Sequence, residues 1–133
     1  MIIGAHILLY TENPEADRAF FRDVLGFGSV DVGHGWLIFA MPPAEAAFHP
    51  IEEGHEPYVV HADHRLLGAV LYLMCNDLKA LVASLQSKSV ACTEIEEEQW
   101  GIRTTIKLPS GGEIGLYQPK HPTALNLQSP ATR

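Results

Sequence analysis

The 133-residue chain holds 47% hydrophobic and 19% charged residues, proportions typical of one soluble domain with enough apolar material for a core. Nine Lys and Arg against sixteen Asp and Glu give a formal net charge of −7, which argues against nucleic-acid binding because that needs a concentrated basic face. The chain shows no long apolar run or signal peptide, and Cys75 and Cys92 lack a CxxC spacing. We therefore expect a cytoplasmic protein with reduced thiols and no membrane contact.

Along the chain, apolar periodicity and breaker residues predict two helices among short strands. Asn13 followed by Pro14 is typical of a helix start, Gly26 of a helix end, and Asp77 of the cap of a second helix. Strands are expected in the first half at about 2–10, 28–32, 35–41 and 44–49, and in the second half at about 68–75, 90–95, 100–108 and 112–118. The order is one strand, one helix and three strands, twice.

An internal repeat supports this order. Residues 4–9 overlay residues 68–73 at a shift of 64 positions, and at the same shift Asn13 meets Asp77 and Trp36 meets Trp100. We therefore predict an α+β fold of two tandem βαβββ modules, with the sheet curved like a cup and the helices on its outer face. The expected domain spans 1–119, with modules at about 1–50 and 68–119, a linker at 51–67 and a flexible tail at 120–133.

Strand alternation separates two faces of the predicted sheet. One face is apolar, includes Ile3, Ile7, Leu9, Trp36 and Trp100, and is expected to lie under the helices. The other face mixes aromatic and ionisable residues, which favours a pocket for a small molecule, with a dimer contact as the alternative. The expected ligand-binding residues are His6, Phe39, Glu45, His49, Tyr72, Arg103, Thr105, Glu113 and Tyr117.

Two stretches resemble the vicinal oxygen chelate superfamily, which includes glyoxalase I, the fosfomycin and bleomycin resistance proteins and extradiol dioxygenases. Residues 20–27, Phe-Phe-Arg-Asp-Val-Leu-Gly-Phe, follow a first strand that contains His6 and resemble the opening of the family. Residues 109–118, Pro-Ser-Gly-Gly-Glu-Ile-Gly-Leu-Tyr-Gln, resemble its closing strand. The resemblance implies two βαβββ modules forming a cup around a divalent metal, and assembly as a homodimer.

The metal-ligand positions of that family are largely not kept in this chain. His6 matches the first ligand, but the other three positions fall on Val70, Gly115 and Ala47, none of which can ligate. A divalent ion normally needs three or more protein ligands, so we expect no metal cofactor. The alternative is a relocated site for Zn, Ni, Mn or Fe, formed by His6, Glu45, His49 and Glu113.

Three functions remain open at this stage. The first is a small-molecule binding protein of the glyoxalase, bleomycin resistance and dioxygenase type that lacks the usual metal site. The second is a metal-dependent lyase, isomerase or extradiol-type dioxygenase, with Glu113 or Glu45 as the candidate catalytic base. The third is an interaction module whose cup is filled by the linker or the tail. The linker histidines His55, His61 and His64 are expected to be solvated loop residues.

Overall fold

The computed structural model describes residues 1–127, so part of the expected tail, 128–133, lies outside the described residues. The elements, in chain order, are α1 (Pro14–Asp23), β1 (Ser29–Asp31), β2 (Leu37–Phe39), β3 (Tyr58–His61), β4 (His64–Leu67), β5 (Tyr72–Met74), α2 (Leu78–Ser87), β6 (Glu96–Glu98), β7 (Gly101–Lys107) and β8 (Glu113–Pro119). Helices and small mixed sheets confirm the α+β class. Neither of these helices has the length and apolar character needed to cross a membrane.

Both helices begin where local sequence signals place them. The Asn13 side chain accepts a hydrogen bond from the backbone N–H of Ala16 at 3.2 Å, and Pro14 occupies the first turn. Asp77 caps α2 in the same way through the N–H of Ala80 at 3.1 Å. Gly26 has φ +76°, a left-handed conformation that favours glycine, just after α1. Each signal acts within a few residues, which is why the sequence predicts these boundaries well.

The second module contains a four-stranded sheet in the order β5-β8-β7-β6. β5 runs parallel to β8, whereas β7 is antiparallel to both of its neighbours. The strand expected at 90–95 is reduced to a bridge between Cys92 and Ile106, and the edge strand forms instead at Glu96–Glu98. One face of this sheet is covered by the helices, and Leu78, Ile106 and Leu116 are almost completely buried there.

α1 and α2 contribute to the same core. Phe20 and Phe21 of α1 pack in one buried cluster with α2 and the apolar face of β7 and β8. Burying a side chain of this size contributes roughly 1.5–3 kcal/mol to folding. Asp17 adds a polar connection, because its buried carboxylate accepts hydrogen bonds from the Ser110 hydroxyl at 2.7 Å and the Ser110 N–H at 3.1 Å. This carboxylate fastens α1 to the turn between β7 and β8.

The first module departs most from expectation. Its sheet is the two-stranded pair β1–β2, and the strands predicted at 2–10 and 44–49 do not form. Ile3 is 93% exposed and Phe48 is 92% exposed, and Ile7 and Leu9, expected under the helices, are also exposed. Strand propensity indicates that a segment can pair, but an extended segment becomes a strand only where another backbone supplies hydrogen-bonding partners. No partner lies beside these segments in residues 1–127.

The segment expected to be a linker carries regular structure of its own. β3 and β4 form an antiparallel hairpin in which His61 pairs with His64 across a two-residue turn. Both turn residues, Ala62 and Asp63, have positive φ, at +50° and +63°. Such turns usually contain glycine or asparagine, so the sequence around Ala62 and Asp63 does not predict a hairpin. His61 is also hydrogen-bonded, through its Nδ1 atom, to the Tyr10 hydroxyl.

Candidate functional site

The candidate site lies on the face of the four-stranded sheet that is turned away from the helices. Alternate positions of β5, β7 and β8 place Tyr72, Arg103, Thr105, Glu113 and Tyr117 on that face, as strand alternation predicts. The register brings their backbones side by side, because Thr105 and Tyr72 are both paired with Gly115, and Arg103 is paired with Tyr117. Five of the nine expected ligand-binding residues are therefore neighbours.

The Tyr72 ring lies directly over Gly115. A Cβ atom built at position 115 would lie 2.2, 2.3 and 2.8 Å from the Cδ1, Cε1 and Cγ atoms of that ring, closer than real Cβ atoms approach. Only a glycine leaves space for the ring against the β8 backbone. Position 115 is the one on which the family resemblance places a carboxylate ligand.

Three aromatic rings pack together at this point. Tyr72 meets Tyr117 at a centroid separation of 5.5 Å and an interplanar angle of 86°, and Trp100 meets Tyr117 at 5.3 Å and 76°. Tyr72 and Trp100 are 6.1 Å apart, also edge to face. This geometry places positive ring edges against negative ring faces, which stabilises aromatic pairs. The cluster gives the site an aromatic side.

The position of Trp100 corrects the prediction that it faces the helices. Glu98 pairs with Gly101, so Gln99 and Trp100 are the two turn residues of the β6–β7 hairpin. Strand alternation does not continue through such a turn, and the indole is free to fold onto the opposite face. A hairpin prediction at Gln99 and Trp100 would have been needed to find this residue.

A cavity of about 280 Å³ adjoins the aromatic cluster. Its lining is mostly apolar, and the polar side-chain atoms come from Tyr72, Thr105 and Glu113. The lining residues are Leu9, Ala69, Val70, Leu71, Tyr72, Thr105, Glu113, Ile114 and Gly115. Thr105 donates a hydrogen bond from Oγ1 to the Glu113 Oε1 atom at 3.3 Å, which orients that carboxylate on the wall. A mostly apolar depression with a few placed polar groups has the character of a small-molecule site.

The Arg103 side chain forms ion pairs with acidic residues of the edge strand β6. Its Nη2 atom lies 2.9 Å from Glu96 Oε2 and 3.2 Å from Glu98 Oε1. With the Glu96 and Glu98 carboxylates bonded to it, this guanidinium contributes less free charge to the site than the sequence suggests. Glu113 on this face and Glu45 beside it have no Lys or Arg ion-pair partner among residues 1–127.

Glu45 reaches the site from the first module. Tyr117 donates a hydrogen bond from its hydroxyl to Glu45 Oε2 at 3.5 Å, and the same hydroxyl is hydrogen-bonded to His121 Nε2 at 3.3 Å. Burial raises the pKa of Tyr117, and the negative charge and hydrogen bond of Glu45 raise it further. His121 was not expected at the site because it follows the last strand and lies in the segment predicted to be a flexible tail.

Three expected ligand-binding residues are not part of this arrangement. Phe39 packs against Phe21 at a ring separation of 5.6 Å and borders the core, because β2 lies against α1 rather than over the pocket face. His49 is exposed, and its Nδ1 atom is hydrogen-bonded to the carbonyl of Pro50. His6 is exposed in the unpaired N-terminal segment.

The four residues expected to form a relocated metal site do not lie together either. Among residues 1–127, no three His, Cys, Asp or Glu side chains lie together as a metal ion requires. His6, Glu45, His49 and Glu113 therefore do not form a shared site in the described chain. Glu45 and Glu113 are each engaged in other hydrogen bonds.

Comparison with solved structures places this fold among known ones. The chain superimposes on the antibiotic binding protein TnmS3 from Streptomyces sp. CB03234 with a TM-score of 0.56 and 24% identity, over 90% of this chain and 100% of that one. It matches a glyoxylase/bleomycin resistance protein/dioxygenase domain from Frankia sp. EAN1pec (TM-score 0.57, 12% identity, 90% and 100% covered). It also matches a lactoylglutathione lyase from Agrobacterium tumefaciens (TM-score 0.55, 14% identity, 83% and 88% covered).

No protein-family model matches the sequence, and no curated protein matches it. At these identities the structural likeness shows a shared fold. That fold is the one expected from the resemblance of residues 20–27 and 109–118 to the vicinal oxygen chelate superfamily.

Proposed function

We propose that this protein binds a small aromatic or polar organic molecule on the sheet face beside Tyr72, without a metal ion at the position that the superfamily uses. The observation that carries the proposal is the packing of the Tyr72 ring over Gly115. The ring fills the space that a side-chain ligand at position 115 would occupy. It offers a stacking surface in place of a metal-binding oxygen.

The surroundings of Tyr72 support a ligand of modest size. The cavity of about 280 Å³ is close to the lower end of the range of roughly 300–1,000 Å³ found for small-molecule sites. Aromatic rings and aliphatic side chains give contact area, while Glu113 and Thr105 can orient polar groups. A fold that also occurs in an antibiotic binding protein is compatible with binding without chemistry.

The proposal is tested by a thermal-shift panel of planar aromatic and polar organic compounds. A ligand at a hundredfold excess over its Kd adds about 2.7 kcal/mol of stability, which is readily detected. We expect the shift to be lost in Tyr72→Leu and retained in Gln86→Lys, an exposed change on α2. Parallel elemental analysis after dialysis against Zn, Ni, Mn or Fe salts should give no stoichiometric metal, and one bound ion per chain would contradict the proposal.

A lyase or isomerase activity is the second candidate, and one observation favours it. Glu113 lies on the cavity wall with its carboxylate oriented by Thr105, as a general base would need to be. Conversion of a bound compound by the wild type, lost in Glu113→Gln while binding persists, would establish this reaction class. An extradiol dioxygenase needs a set of His and carboxylate metal ligands that residues 1–127 do not bring together.

We further propose that the protein is a cytoplasmic homodimer. Within residues 1–127, the segment 1–10 has strand-forming residues without a partner strand, and β5 stands at the edge of its sheet with one side unpaired. Large apolar side chains are exposed in the segment and just before β5, including Ile2 at 73% and Val70 at 84%. A second copy that supplies a pairing strand would cover these groups and satisfy their backbones. Two free, partly buried cysteines support the reducing compartment.

A further inference from the structure

The segment that follows β8 returns to the candidate site instead of leaving the domain. The Lys120 N–H donates to the carbonyl of Trp100 at 2.8 Å, and the Lys120 ammonium lies 2.5 Å from Glu97. His121 then stacks obliquely on Tyr117, with ring centroids 6.0 Å apart and an angle of 32° between the planes. The Leu127 N–H donates to the carbonyl of Ala124 and closes a turn.

Glu45 holds this segment from the other half of the chain. Its Oε1 atom accepts the backbone N–H of Ala124 at 2.8 Å. Its Oε2 atom accepts the Tyr117 hydroxyl at 3.5 Å and lies 3.9 Å from His121 Nε2. One carboxylate therefore contacts the tail backbone, the tail imidazole and the aromatic cluster, and it is only 20% exposed. Hydrogen bonds to a charged acceptor are about twice as strong as neutral ones.

The effect on the site is visible in Tyr117. This ring belongs to the sheet face turned away from the helices, yet it is only 9% exposed. Tyr72 and Trp100 cover it on one side, and His121 with Glu45 covers it on the other. Without the segment, this end of the aromatic cluster would be open to water.

We propose that residues 120–124 form a supporting wall behind the aromatic cluster, with His121 against Tyr117 on the side away from Tyr72, and that Glu45 is the positioning residue that holds this wall. The function of the wall rests on the small-molecule binding proposed above, whereas its attachment does not. Glu45, expected from the sequence to be a ligand-binding or catalytic group, thereby acts through the tail instead of touching the ligand.

Limited trypsin digestion of the full chain tests the attachment. Release of the peptide that begins at His121 reports exposure of the Lys120–His121 bond and is followed by mass spectrometry. We expect Glu45→Ala to accelerate this cleavage by about tenfold, the factor for one lost hydrogen bond to a charged group. Glu45→Gln retains an oxygen acceptor for Ala124 and should stay within about threefold of the wild type.

The matched control is Glu94→Ala, which removes an exposed carboxylate that forms no hydrogen bond or ion pair in the described chain. Its cleavage rate should equal that of the wild type. Equal rates in the wild type, Glu45→Ala and Glu94→Ala would overturn the positioning role.

Binding of the fluorescent probe 1-anilinonaphthalene-8-sulfonate tests the wall. We expect Glu45→Ala and His121→Ala each to raise the Kd of the probe by about threefold or more, about 0.7 kcal/mol. Glu94→Ala should leave the Kd unchanged, and Glu45→Gln should raise it less than Glu45→Ala does. An unchanged Kd in Glu45→Ala and His121→Ala, or a lower one, would show that the segment does not support the aromatic side of the site and would overturn the proposal.

The two measurements separate the possible failures. If the wild type does not bind the probe, the proposed function and the wall fail together. Faster digestion of Glu45→Ala would in that case still show that Glu45 attaches the tail. If the probe binds but neither variant weakens it, only the wall is contradicted.

Discussion

The Tyr72 ring rests on the backbone of Gly115, so that a single added carbon at position 115 would lie 2.2 Å from the Cδ1 atom of the ring. The two residues are direct partners in the parallel pair β5–β8. Sheet register therefore fixes the distance between them, and the ring cannot move away without leaving the aromatic cluster that it shares with Tyr117 and Trp100.

This contact predicts that Gly115→Ala is destabilising because of overpacking, by about 1–3 kcal/mol in the free energy of unfolding. Tyr72→Ala in the same chain should remove most of that extra cost, since the added methyl group then has space. Urea unfolding of the two single variants and the double variant measures the coupling. Gly28→Ala, with no atom within 4 Å of the added carbon, is the matched control. Independent, additive effects at positions 72 and 115 would contradict the contact.

The parts of the fold that the sequence predicts well depend on nearby residues. The caps Asn13 and Asp77 fix both helix starts, and alternation along 100–108 and 112–118 correctly separates buried Ile106 from outward-facing Thr105. The strands at 2–10 and 44–49 were wrong for the described chain, because pairing depends on a partner backbone that local composition does not reveal.

The residues of the candidate site also divide into those that local sequence predicts and those that it does not. Tyr72, Thr105, Glu113 and Tyr117 were expected and lie together, since strand register follows from alternation and turns. Trp100 and His121 were not expected, because one occupies a hairpin turn and the other follows the final strand. Both arrive at the site through changes of chain direction, which are the least predictable part of a sequence.

Asp17 should be a major contributor to stability even though it is not part of the aromatic cluster. Its carboxylate accepts the hydroxyl and backbone N–H of Ser110 and also the Thr11 hydroxyl at 2.5 Å. Asp17→Ala leaves these donors unpaired in a part-buried place, and we expect a loss of about 1.5–3 kcal/mol.

The measurement is the urea midpoint and slope, and Asp23→Ala is the control. Asp23 is exposed and forms an ion pair with the neighbouring Arg22, so its removal should change stability by less than about 0.5 kcal/mol. Equal destabilisation by the two substitutions would show that Asp17 does not fasten α1 to the β7–β8 turn.

Val70 should be a determinant of the proposed dimer. It is 84% exposed, lies two residues before β5 and lines the cavity together with Leu9. A lysine here places a charge where an apolar partner surface would pack, so we expect Val70→Lys to shift the protein from dimer to monomer in sedimentation equilibrium. Gln86→Lys adds the same residue on the exposed face of α2 and should remain dimeric. A Val70→Lys protein that stays dimeric would exclude this edge as the interface.

The Tyr117 hydroxyl should make stability depend on alkaline pH. Burial, together with the charge and hydrogen bond of Glu45, raises the pKa of this tyrosine above the value of about 10 that it has when unfolded. Between those two pKa values the folded state holds a proton that the unfolded state has released. The stabilisation is therefore fully present below pH 10 and is lost as pH rises through the folded-state pKa.

We expect the free energy of unfolding of the wild type to fall more steeply above pH 10 than that of Tyr117→Phe, which has no phenol to titrate. Tyrosinate absorbance, compared between the same two proteins, assigns the pKa directly. Glu45→Ala removes a neighbouring negative charge and should lower the pKa of Tyr117, whereas Glu94→Ala should leave it unchanged. A pKa of Tyr117 that does not respond to Glu45→Ala would mean that the carboxylate and the phenol are not in contact.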